Sequence, residues 1–91
     1  MSYLARLVSI TKVSSVTKEL LSFVHFQGEQ KKIEITDDTK VAILQIENIP
    51  SYHIVFLDSG ITISELEAEL EKNDTTLAGE TKALLVRQMG A

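Results

Sequence analysis

Chemistry in this chain would have to start from His25 and His53, since there is no cysteine to supply a thiolate or a soft metal ligand. Both histidines fall inside runs that read as strands, and neither has a second histidine at ligand spacing. A zinc site needs three or four fixed ligands, so the expectation is two structural histidines and no metal. Ser, His and Asp all occur, but no nucleophile-elbow sequence brings them together, and Asp58-Ser59-Gly60 reads as a turn. The four glycines, Gly28, Gly60, Gly79 and Gly90, lie too far apart to build a phosphate-cradling loop. The acidic run from Glu65 to Glu71 lacks the loop spacing and central glycine of a calcium site. We therefore expect no catalytic residues, no cofactor and no enzymatic activity.

Charge narrows the partners. The total is −4, but it is unevenly spread. Residues 1–32 carry Arg6, Lys12, Lys18, Lys31 and Lys32 against Glu19 and Glu29, and residues 81–91 carry only Lys82 and Arg87. Between them the chain is strongly acidic, with Asp37, Asp38, Glu47, Asp58, Glu65, Glu67, Glu69 and Glu71 forming a candidate acidic surface for a basic partner. The few bases are not interleaved with the five aromatic residues, which argues against direct nucleic-acid binding. With 91 residues the chain is expected to be one domain, residues 1–91. Apolar residues make up 44% and charged ones 24%, the balance of an ordinary globular chain. Absence of cysteine fits a cytoplasmic setting. The opening MSYLARLVSITKVSS, acid-free and basic, superficially resembles a targeting peptide. No apolar run in the chain is long enough for a signal core or a membrane span, so we expect the opening to belong to the fold and no membrane contact.

The elements organise around Lys40 to Leu57. Two apolar runs, Val41 to Leu44 with Ile46 and then Ile54 to Leu57, flank Asn48-Ile49-Pro50-Ser51 and read as an antiparallel hairpin. Side chains alternate along a strand, and here both parities are apolar, so both faces of the hairpin need cover. Upstream we expect strands at 3–13, 18–27 and 31–36. The segment 16–26 is ambiguous, because Val16, Leu20, Phe23 and Val24 fit a helix while Val16, Leu20, Val24 and Phe26 share a strand face. The composition of SFVHF, with Gln27-Gly28-Glu29 leading into KKIEIT, favours the strand. Downstream, Thr62 with Glu65 forms a capping box for a helix at 62–72, and Leu77, Thr81, Leu84 and Leu85 stripe a second at 76–89.

The predicted fold is thus α+β: a five-stranded antiparallel meander, with strands at 3–13, 18–27, 31–36, 40–48 and 52–58, as a sheet or a small barrel with both helices on one face. Such an order resembles, in topology alone, small viral coat proteins whose dimers form a continuous sheet roofed by helices. That resemblance implies a shell or virion component. Two short helices roof one side only, which leaves the other for barrel closure or a second copy. The expected role is a non-enzymatic assembly module that self-associates through an apolar sheet face or an edge strand, with Val41, Ile43, Val55, Leu57, Ile33 and Ile35 as candidate interface. The alternative is a small acidic inhibitor or adaptor for a basic protein.

Overall fold

In the computed structural model, which describes residues 2–89, the central hairpin is present. Strand β2 (Lys40–Ile46) pairs antiparallel with β3 (Ser51–Phe56), Val41 lying opposite Phe56 and Ile43 opposite Ile54. Asn48 turns the chain between them at φ 67°, a left-handed conformation that asparagine tolerates better than most residues. On the other side of β2 runs β1 (Tyr3–Lys12), also antiparallel, with its register shifted at Val8 by a bulge.

What lies between β1 and β2 overturns the five-strand expectation. Residues 18–27 are not a strand but the body of helix α1 (Lys18–Gln30), entered from a short 3-10 turn at Val13–Ser15. Leu20, Leu21, Phe23 and Val24 of this helix pack on Val41, Ile43, Ile54 and Phe56. The β-type composition of SFVHF yields to that burial, because tertiary packing outweighs a propensity difference of a few tenths of a kcal/mol per residue. Gly28 is no hairpin turn either. It is buried in the last turn of α1, where a Cβ would collide with the side chain of Ile35. Its bareness lets the helix approach the sheet.

Residues 31–36 form no strand. Ile33 and Ile35 alternate in sequence because both pack beside the α1 core from an extended connection. The left-handed Lys32, at φ 57°, and the bond from Ile33 N–H to the Gly28 carbonyl (2.9 Å) close α1.

After Phe56, a second 3-10 turn (Leu57–Ser59) leads to helix α2 (Ile63–Glu71). Its capping box joins the Thr62 hydroxyl to the Glu65 N–H and the Glu65 carboxylate to the Thr62 N–H, each at 3.2 Å. Strand β4 (Thr75–Leu77) then pairs parallel with Tyr3 to Ala5 of β1, and α3 (Gly79–Met89) follows. Residues 76 and 77, expected in a helix, therefore belong to a strand.

The sheet is four-stranded and mixed, in the order β3-β2-β1-β4. Helices α2 and α3 cover one face, placing Leu66, Leu70 and Leu85 on Ala42, Leu44, Ile46 and Val55. The opposite face of the hairpin lies under α1. Both apolar parities of the hairpin are buried within a single chain, so neither barrel closure nor a second copy is needed to cover them. With three helices split between two faces, the likeness to the coat-protein topology falls away.

Candidate functional site

The backbone itself leaves binding groups at the borders of the sheet. In an antiparallel ladder only every second residue bonds to a given neighbour, and the residues between aim their N–H and C=O the other way. The bond from Val13 N–H to the Thr39 carbonyl (2.9 Å) fixes the phase in the second half of β1. Thr11 and Ser9 share that phase and face β2. Ile10 and Lys12 face outward. Upstream of the bulge the outward residues are Tyr3, Ala5 and Leu7, and each has a partner. Tyr3 N–H donates to the Asp74 carbonyl (2.7 Å), Ala78 N–H donates to the Ala5 carbonyl (3.1 Å), and Leu7 N–H donates to the Thr81 hydroxyl (3.0 Å). Beyond Leu7, β4 has ended. Among the described residues no strand lies alongside Ile10 and Lys12, and Val8, half exposed, stands beside them.

Strand β3 has the same problem and a different solution. Its outward residues are Tyr52, Ile54 and Phe56. The side-chain amide of Gln27, reaching from α1, accepts from Ile54 N–H (2.8 Å) and donates to the Tyr52 carbonyl (3.1 Å). One glutamine thus imitates a residue of a neighbouring strand. The Ser59 hydroxyl donates to the Phe56 carbonyl (2.6 Å) and closes the far end.

A polar trio fastens this closed border. Lys31, at the end of α1, donates from Nζ to both carboxylate oxygens of Glu69 on α2, each at 2.9 Å. His53 Nε2 lies 3.4 Å from Glu69 Oε2, is buried, and makes no hydrogen bond among the described residues. Burial lowers the His53 pKa from its ordinary 6.5, and the Lys31 charge pushes the same way, while Glu69 opposes both. The imidazole is therefore neutral near pH 7. Its Nε2 lies against a carboxylate already held by lysine, and the Lys31–Glu69 pair ties the end of α1 to α2 beside β3.

The residues singled out from sequence are scattered by the fold. Val41, Ile43 and Val55 are fully buried, and Leu57, Ile33 and Ile35 are half-buried against the two cores. None of the six forms an open surface, and the face bearing Val41 and Ile43 is the one α1 occupies. Most of the acidic set is engaged internally: Glu47 with Arg6, Asp38 with Lys12, Glu67 with Lys82, Glu69 with Lys31, and Glu65 in its capping box. Asp37, Asp58 and Glu71 are exposed on three separate elements. His25 is exposed on α1, far in role from His53. Among the described residues no group of three or more His, Asp or Glu side chains is placed to hold a metal ion, and no helix is long and apolar enough to cross a membrane. Val8 and Ile10 went unremarked in the sequence, and Gln27 was read only as part of a hairpin turn. Their importance comes from which strand ends where, and no local pattern encodes it.

Residues 3–89 match a family described as "Domain of unknown function (DUF749)". A relative from Methanocaldococcus jannaschii, named "Uncharacterized protein MJ0858", is 33% identical over 86 residues, which covers 93% of this chain and 76% of that protein. No solved structure matches significantly.

Proposed function

The chain belongs to the DUF749 family, and within it we propose a non-enzymatic protein-interaction module that self-associates through the outer border of β1, Ile10 to Lys12. One observation carries this reading: Ile10 and Lys12 aim their N–H and C=O groups away from β2, with no strand beside them among the described residues. Unpaired strand borders are templates for a further strand. A second copy laid antiparallel about Thr11 sets Ile10 of each chain against Lys12 of the other, a self-complementary two-fold contact with about four backbone hydrogen bonds. Each such bond contributes about 1 kcal/mol net. Half-exposed Val8 adds apolar contact. The association is accordingly weak and depends on concentration.

The route through an apolar sheet face is closed by α1, and the internal pairing of the acids leaves the adaptor reading without a continuous charged surface.

Light scattering from about 10 μM to about 1 mM, a span wide enough to reveal weak pairing, tests the reading. The mass rises toward two copies in the wild type. Ile10→Pro lacks the outward N–H yet spares the ladder to β2, and it stays at one copy with an unchanged circular dichroism spectrum. A wild-type mass of one copy throughout would sink the proposal.

A further inference from the structure

A cleft of about 410 Å³ opens between the end of α1, the β2–β3 hairpin and the shared start of β1 and β4. The pairing of sheet borders does not use it. Three of the five aromatic residues of the chain, Tyr3, Phe26 and Tyr52, line it. Phe26 is 60% exposed and Tyr3 41% exposed, so two large rings stand in water at the same opening. Ile46, Ile49 and Leu70 add apolar lining, and Gln30 and Asn73, at the ends of α1 and α2, add amides. Exposed rings, apolar lining and a few amides are the composition of a ligand site.

We infer that this cleft binds a small, uncharged, planar heteroaromatic molecule of nucleoside size, stacked against Phe26 and Tyr3 and read at its polar edge by Gln30 and Asn73. The electrostatics select against an ion. Lys31, the cation in the wall, already has both oxygens of Glu69, and His53 carries no charge near pH 7. A phosphate or carboxylate would have to break the Lys31–Glu69 pair to find a partner. The amides offer both donors and acceptors, which suit the ring nitrogens and exocyclic groups of a base. The volume sits at the low end of the ~300–1,000 Å³ typical of ligand clefts, enough for one ring system with a small appendage.

The test titrates adenosine, guanosine, cytidine and uridine separately into the 15N-labelled full chain, followed by amide and side-chain amide shifts. At least one nucleoside shifts the signals of Tyr3, Phe26, Gln30 and Asn73 and saturates, and its 5′-monophosphate binds no more tightly. Phe26→Ala, an exposed position whose loss leaves the spectrum folded, weakens that binding about fivefold or more, as removal of a stacking ring does. Asn73→Ala alters which nucleoside is preferred. A short single-stranded oligonucleotide of the preferred base, added in parallel, separates the free molecule from a base presented on a strand by whichever binds more tightly. The inference fails if no nucleoside saturates these signals, if the monophosphate binds more tightly, or if Phe26→Ala binds as the wild type does. None of these outcomes depends on self-association, which is read separately by light scattering.

Discussion

Two strand borders, that of β3 and the stretch of β1 beyond the end of β4, answer one physical demand in opposite ways. At β3, the Tyr52 carbonyl and the Ile54 N–H meet the amide of Gln27, and the Lys31–Glu69 pair fastens the helix that carries it. At β1, cover stops with the Thr81 hydroxyl on Leu7, and Ile10 and Lys12 face outward without a strand beside them. The difference teaches that a border is closed by a side chain delivered from elsewhere in the chain, and that a strand longer than its neighbour is left part-bare.

The largest way to break this contrast is to remove what seats α1. Phe56→Ala deletes a ring that is 2% exposed and packed under that helix. Loss of about 3–5 kcal/mol is expected, measured by urea unfolding. Gln27→Ala strikes the closure itself. It strands one N–H and one C=O in a half-buried place, and a loss of about 2 kcal/mol is expected by the same measurement. A loss near zero would show that water replaces the amide.

Acid should loosen the closed border. His53 has its pKa lowered in the fold by burial, so below its ordinary value of 6.5 the unfolded chain takes up a proton that the folded chain resists. Stability therefore falls as pH drops through that region and levels off once the folded imidazole also protonates. Urea midpoints from about pH 7.5 to about pH 5 should show this slope, and His53→Gln should flatten it. The smallest effect belongs to the open border, where Val8→Lys should change stability by less than about 0.5 kcal/mol while lowering the mass seen by light scattering at high concentration.

Part of this was legible in the sequence. The hairpin showed in its two β-branched runs and the Asn48–Pro50 break, and the start of α2 showed in the Thr62–Glu65 box, because both rest on residues a few positions apart. The demand that both faces of the hairpin be covered was legible too. Its answer was not, because residues 18–27 satisfied helical and strand spacing alike and Gly28 looked like a turn. Burial against Ile35 and Phe56 decides the matter, and that depends on contacts far along the chain. The three residues of β4 have no periodicity to detect, and only the parallel pairing with Tyr3 to Ala5 makes them a strand. For the candidate site, the sequence suggested an apolar sheet face or an edge strand, and the outer border of β1 was not named because it depends on where β4 ends.

The glutamine on β3 has a consequence for where a further strand could add. On β3 the glutamine amide already holds the Tyr52 carbonyl and the Ile54 N–H. Strand addition at β3 would first have to displace Gln27 from both groups, a cost that the open stretch of β1 does not impose.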